Sequence, residues 1–330
     1  MSPRTLMVLA AAALLPATAA IAQPRPDPAS ILTLQGENAS ISAGNPTDRL
    51  YTNGLRLEWT SPTDAVPGFL SGFGQALFGA GQQRIGIGLQ QQIYTPIDTS
   101  VVPAKPNDRP YAGYLTTNFS LIHDTDTRRS TLTLSLGVVG PASGGENLQN
   151  SFHDLIGQAH PHGWDSQIPN TFAFELLGER TWRMPLASFD GLETDVLPAV
   201  TIGVGDVRDY LQVGASVRIG QGLDSDFGVP RIRPGLSGGD AYTPTRPFVW
   251  YLFAGVDGQA VGYDLLLQAS PFRSGAHVNP VWDVGEVQAG AAIMAYGLRL
   301  TVAYVARTQE FVGQGGGLHQ FGSASIGVRF

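Results

Sequence analysis

Leu132, Leu134, Leu136 and Val138 alternate with Thr131, Thr133, Ser135 and Gly137, the period of two that a strand needs when its faces meet different surroundings. The pattern recurs. Ile85, Ile87 and Leu89 stand against Arg84, Gly86, Gly88 and Gln90; Leu211, Val213, Ala215, Val217 and Ile219 stand against Gln212, Gly214, Ser216 and Arg218; Leu300, Val302 and Tyr304 oppose Arg299, Thr301 and Ala303. Thirteen stretches qualify as strands: about 30–41, 51–61, 83–94, 111–123, 128–140, 171–184, 191–205, 209–220, 247–257, 259–269, 283–296, 297–310 and 319–330. One face is apolar throughout, and the other is polar but small.

A soluble sandwich also alternates, but its outer face carries charge, and only 14% of these residues are charged while 43% are hydrophobic. A transmembrane barrel, with lipid outside and a polar lumen, accounts for both features. Such single-chain barrels have even strand numbers, so the expectation is an all-β, antiparallel barrel of twelve strands. One candidate is then spurious, or two form one bent strand. The parities read from the two ends fail to meet between 171 and 220, which places the discrepancy there.

The last strand points the same way. Val328, Ile326, Ala324 and Gly322 share one face, with Arg329, Gly327, Ser325 and Ser323 on the other, and the chain ends on Phe330. This aromatic end resembles the signal by which the barrel assembly machinery recognises bacterial outer-membrane proteins. Arg4, an apolar run from Leu6 to Ile21 and the small-x-small pattern Ala20-Ile21-Ala22 read as an export signal, residues 1–22. One barrel domain, 23–330, follows, with no second apolar run near the roughly 18 residues of a spanning helix. The expected location is the bacterial outer membrane.

Composition narrows the chemistry. There are no cysteines, which removes disulfide scaffolds and thiolate chemistry. A net charge of −7 leaves no basic footprint for nucleic acid. Lys105 is the only lysine, which draws attention to its surroundings.

Residues 147–170 form the most helix-like segment. Leu148, Phe152, Leu155, Ile156 and Ala159 fall at helical spacing and predict one apolar face. Gln149 and His153, four apart, stack beside it. An imidazole takes a proton from water near neutral pH, and a neighbouring amide can fix the ring or the water; the same pattern also suits a surface histidine on an ordinary helix. The apolar piece 62–82, with Phe69, Leu70, Phe73, Leu77 and Phe78, reads either as an amphipathic helix at the membrane surface or as a packed connector.

Other signals are weaker. Gly235-Leu236-Ser237-Gly238-Gly239 matches the serine hydrolase elbow but has no strand before it and no helix after. His153, His160 and His162 suggest zinc, yet Pro161 breaks the helix between them and no acidic ligand has suitable spacing. Trp59, Trp182, Trp250 and Trp282 read as girdle or packing residues, and Trp164 as support for the helix.

Three segments carry a resemblance. Tyr51-Thr52-Asn53-Gly54, Asn107-Asp108-Arg109-Pro110-Tyr111-Ala112-Gly113, and Gln149 with His153 followed by Gly163-Trp164-Asp165 resemble the LpxR-type lipid A 3′-O-deacylase family. The similarity runs from about residue 30 to Phe330. It implies a twelve-stranded outer-membrane barrel that hydrolyses, with calcium, the ester carrying the 3′-acyloxyacyl group of lipid A in lipopolysaccharide. It further implies His153 as the base for water, Gln149 as its partner, Asn38 and Thr52 near the metal, and Lys105 near a phosphate or the developing oxyanion. Asp108 and Arg109 would shape the loop at the substrate. The different-class alternative is a silent barrel of the same family, structural or a passive pore.

Two positions depart from the family pattern. The first strand has Asn38-Ala39 where the family usually has Asn-Asp; if that carboxylate is a metal ligand, calcium binding is weakened unless Glu37, Asp48 or a backbone group replaces it. Ala159 stands about where an acidic residue beyond the histidine is expected.

Overall fold

The computed structural model describes residues 26–41, 49–102, 105–268, 277–315 and 317–330. The expected export signal and Asp48 lie outside them. Twelve antiparallel strands close into one barrel: β1 (Ile31–Asn38), β2 (Leu50–Thr60), β3 (Gln82–Thr95), β4 (Ala112–Asp124), β5 (Arg128–Val139), β6 (Thr171–Trp182, continued as Met184–Phe189), β7 (Leu192–Gly205), β8 (Arg208–Gln221), β9 (Phe248–Asp264), β10 (Asp283–Ala295), β11 (Leu298–Arg307) and β12 (His319–Arg329). Both halves of β6, parted at Arg183, pair with β7, and β1 pairs with β12.

The surplus candidate is not between 171 and 220. The stretches 247–257 and 259–269 are one 17-residue strand. Asp257 and Gln259 are buried on the lumen side and Gly258 is exposed outside, so the Asp-Gly pair continues the alternation and does not turn.

Alternation sorts the wall as expected. Leu34, Leu57, Leu89, Val213, Val256 and Val302 are exposed outward, while Gln35, Arg56, Gln90, Gln212, Asp257 and Thr301 are buried inward. Because the number of strands is even, both ends of the sheet lie at one rim, where Ser30 and Phe330 exchange two backbone hydrogen bonds of 2.9 and 3.0 Å. Among the described residues no helix is long and apolar enough to cross a membrane.

Charge is scarce outside but concentrated within, which the sequence reading did not foresee. The loop between β8 and β9 turns into the lumen and plugs it. Arg231 of this loop meets Glu37 at 2.8 Å and Gln288 at 2.6 Å. Its Asp240 receives two hydrogen bonds from Arg56, 2.6 and 2.9 Å, and Arg129 donates to the carbonyls of Gly238 and Ala241. Desolvated charges of this kind are tolerable only when paired. A cavity of ≈ 90 Å³ remains, lined by Arg56, Glu58, Glu175, Arg208 and Arg233 among others.

Two helices lie outside the wall: α1 (Gly68–Phe78) at the rim with the termini, and α2 (Gly145–Ile156) at the far rim.

Candidate active site

The position of α2 follows from small residues on the outer face. Gly113 is an outward position of β4, and a Cβ there would strike Ser143 Oγ, while a Cβ on Gly145 would come within 2.9 Å of Gly113 Cα. Glycine at both lets the start of the helix touch the wall. Gln91 donates to the carbonyl of Ser143 at 2.8 Å, and Leu148 packs on the cluster of Ile93, Tyr111 and Trp164. The rings of Tyr111 and Trp164 stand 5.1 Å apart.

The helix is docked by its polar side. Gly145, Gln149 and His153 are its buried residues, whereas Phe152, Leu155 and Ile156 are exposed, Leu155 at 81%. Of the expected apolar face, Leu148 packs on protein and Phe152, Leu155 and Ile156 do not. These three point outward, so the amphipathic sense is reversed relative to a helix packed by its apolar side.

Hydrogen bonds fix both polar residues. Trp164 Nε1 donates to Gln149 Oε1 at 2.8 Å. His153 Nδ1 lies 2.6 Å from the main-chain carbonyl of Ala159. A carbonyl only accepts, so Nδ1 carries the proton and, in the neutral ring, Nε2 carries the lone pair. Gly157, left-handed at φ 69°, ends α2 and turns the chain back so that this carbonyl meets the ring. His160 bonds Asp154 at 2.8 Å on the exposed side of the same turn.

A second set of polar atoms shares the outer face. Asn38 opposes Asn53, and Asn53 opposes Ile93, which opposes Gly113. The four residues form one lateral row across β1 to β4, and α2 sits over its Gly113 and Ile93 end. Asn38 Oδ1 accepts from Ser40 N at 2.7 Å, while Asn53 Oδ1 is buried with no hydrogen-bond partner among the described residues. Thr52 is the extra residue of a bulge in β2, and its hydroxyl pairs with that of Thr95 at 2.7 Å. Asn53 and Thr95 were not singled out from sequence, although Asn53 lies inside the Tyr-Thr-Asn-Gly motif.

The β3–β4 loop divides the remaining candidates. Asp108 accepts the backbone N–H groups of Ile97, Asp98 and Arg109 at 2.8 to 3.0 Å, holding the loop closed. Lys105 is exposed and paired with Asp98 at 2.6 Å; the hydrogen bond from Lys105 is the largest influence bringing Asp98 down to about 2. Arg109 goes the other way. It is 0% exposed, lies over the ring of Tyr94 at 4.5 Å, and pairs with Glu310 at 3.2 Å. Burial alone would raise the Glu310 carboxyl, but Arg307, Arg109 and Arg208 outweigh it and hold the group at about 2. Arg109 thus braces the barrel mouth on the lumen side, with the wall between it and His153.

Ala39 is fully buried in an apolar cluster that includes Tyr51, Tyr94 and Phe321. Ser237 of the elbow-like motif lies in the plug, its hydroxyl accepting from Arg231 N and Gly239 N. Among the described residues no three His, Cys, Asp or Glu side chains gather as a metal site.

A family model described as outer membrane protein LpxR matches residues 6–330. Among solved structures, LpxR from Salmonella typhimurium is similar with a TM-score of 0.74 at 23% identity, covering 91% of this chain and 100% of that one. The β domain of the Bordetella autotransporter BrkA has a TM-score of 0.45 at 11% identity, covering 93% and 100%. No curated protein sequence matches.

Proposed function

Because the chain belongs to the LpxR family of outer-membrane proteins, we propose that it is a lipid A 3′-O-deacylase, an ester hydrolase that removes the 3′-acyloxyacyl group. The observation that carries this reading is the buried polar stripe of α2, Gln149 and His153, held between the wall and an outward apolar face. A substrate already in the outer leaflet can reach such a cleft sideways from the membrane.

His153 serves as the base. Its Nε2 takes a proton from water as the oxygen attacks the ester carbonyl. The imidazolium then returns that proton to the departing sugar oxygen, and the acyl chain leaves as a carboxylic acid. The Ala159 carbonyl fills the orienting role that a carboxylate would otherwise have. Gln149, tied to Trp164, steadies the helix beside the ring. Lys105 reaches a lipid A phosphate by exchanging Asp98 for it, and Asp108 and Arg109 keep the loop under Lys105 in place.

Geometry supports the pairing of the helix with the asparagine row. At 1.5 Å per residue, His153 lies about 12 Å along α2 from Gly145, and the two strand spacings from Gly113 to Asn53 span roughly 10 Å. The helix contacts β4 and β3, and we take its axis on toward β2, which sets the imidazole near Asn53 and Thr52.

Calcium fits this donor set in part. Asn38, Asn53 and Thr52 offer oxygens, and Asn53 Oδ1 has no hydrogen-bond partner among the described residues; neutral oxygens of this kind by themselves hold calcium weakly. When bound there, calcium supplies a Lewis acid for the carbonyl oxygen. Phe330 and its strand serve as the signal to the barrel assembly machinery.

One observation favours a second reading, a catalytically silent barrel: Ala39 stands in place of an acid. Mass spectrometry of lipid A from cells making wild-type or His153→Ala protein, with and without chelator, decides between them. A 3′-deacylated species only with wild type and no chelator is the expected result; unchanged lipid A throughout would overturn the enzymatic reading.

A further inference from the structure

The helix α1 lies against the outside of the barrel, directly beneath the lipid-facing belt. Ile87 and Phe119, paired across β3 and β4, are exposed outward. The next outward row down is Ile85 with Leu121, and the one below is Gln83 with His123. Each step is about 7 Å along the strands. α1 covers these lower rows. A Cβ on Gly74 would lie 2.7 Å from the Gln83 side-chain oxygen and 3.1 Å from Leu121, so the helix touches the wall there only because that residue is glycine. Gln83 donates to the Ser71 carbonyl at 3.1 Å, His123 to that of Gly79 at 3.0 Å and Arg128 to that of Phe78 at 3.1 Å.

Among the described residues, none covers the opposite side. Phe69 is 77% and Phe73 50% exposed, and with Gly72 and Ala76, also exposed, they form a stripe at i, i+3, i+4 and i+7. The helix contains no charged residue. Its outer stripe lies over the rows next below Ile87 and Phe119, because the helix touches Leu121, Gln83 and His123.

We propose that α1 is an in-plane membrane helix whose stripe, Phe69, Gly72, Phe73 and Ala76, sits among the acyl chains of the periplasmic phospholipid leaflet. The occupant follows from continuity: the stripe extends a wall already surrounded by hydrocarbon, and its aromatic rings stand at the depth of an interfacial girdle. Bonded to β3, β4 and β5, the helix fixes the depth and tilt of the barrel from below.

The chain has no cysteine, so single introduced thiols carry spin labels without background. Phe69→Cys and Phe73→Cys proteins, labelled and placed in vesicles of phosphatidylethanolamine and phosphatidylglycerol, are compared with Phe119→Cys on the belt and Thr127→Cys on the turn at the same rim. The ratio of collision with oxygen to collision with a water-soluble nickel chelate should match Phe119 and exceed Thr127 severalfold. A ratio equal to that of Thr127 would mean the stripe lies in water, and spin–spin broadening would mean a second copy covers it; either overturns the proposal. Heat-dependent gel migration verifies folding, and Gly72→Cys or Ala76→Cys carries the label if a phenylalanine variant does not fold.

Discussion

His153 donates its Nδ1 proton to the main-chain carbonyl of Ala159 across 2.6 Å. The contact sets the tautomer that a water-activating base needs, and it does so at the position where the sequence lacks an acid. A backbone carbonyl cannot be removed by changing its side chain, so the device must be tested through the turn that delivers it.

Gly157 sits at φ 69°, where a Cβ costs roughly 1–2 kcal/mol. Gly157→Val should displace the Ala159 carbonyl, lowering kcat about tenfold or more with KM little changed. Ala159→Ser, which leaves the backbone alone, should keep wild-type kinetics. Steady-state assays on lipid A in mixed micelles separate the two.

Removing the proposed base should be more severe. His153→Gln is expected to lower kcat by about 10²- to 10⁴-fold without lowering the melting temperature by more than a few degrees. Gln149→Leu should instead act first on stability, because it leaves the buried Trp164 N–H without its acceptor, at a cost of about 1–3 kcal/mol.

The buried Ala39 belongs to an apolar cluster with Tyr51, Tyr94 and Phe321, on the lumen side of the strand that presents Asn38 outward. Ala39→Asp should therefore lower the melting temperature and leave calcium affinity unchanged, whereas Asn53→Leu should weaken calcium binding. Isothermal titration with calcium reads both; a tightened affinity in Ala39→Asp would restore the missing acid as a ligand.

Glu310 is held at about 2 against an ordinary 4.5 by three arginines. Its folded value is depressed, so its contribution is fully present above about pH 4.5 and is lost as pH falls toward 2. Glu310→Gln should destabilise by about 3–5 kcal/mol near neutrality. The gap in melting temperature from wild type should close between pH 4.5 and 2, as thermal scans across that range would show.

The plug gives a direct test of the pore alternative. Wild-type protein in planar bilayers should pass no stepwise current, and a variant with residues 230–240 replaced by a short Gly-Ser linker should open ion-conducting steps. Conductance in the wild type equal to that of the variant would restore the passive-channel reading.

Much of this protein is settled locally. A period of two assigns each strand residue to lipid or lumen from its neighbours alone, which is why the outward Val328 and Ile326 and the inward Ser325 could be read without coordinates, while the continuity of β9 through Asp257 and Gly258 could not. The pairing of Gln149 with His153 was equally legible, because a helix brings positions four apart together whatever surrounds it. What the outside solvent does to that helix was not. Spacing shows that α2 has an apolar and a polar side but not which is buried, and only its seat on the outer wall turned Leu155 outward and His153 to protein.

The tertiary structure alone decided the rest. Arg231 finds Glu37 from 194 residues away, Arg109 finds Glu310 from 201, and neither pairing leaves a trace in local pattern. Closure of the barrel sets which loops meet and on which side of the wall each rim residue falls. Alternation is a property of one strand and can be read along it; the plug, the lumen-side place of Arg109 and the carbonyl behind His153 depend on how distant segments are brought round to one another.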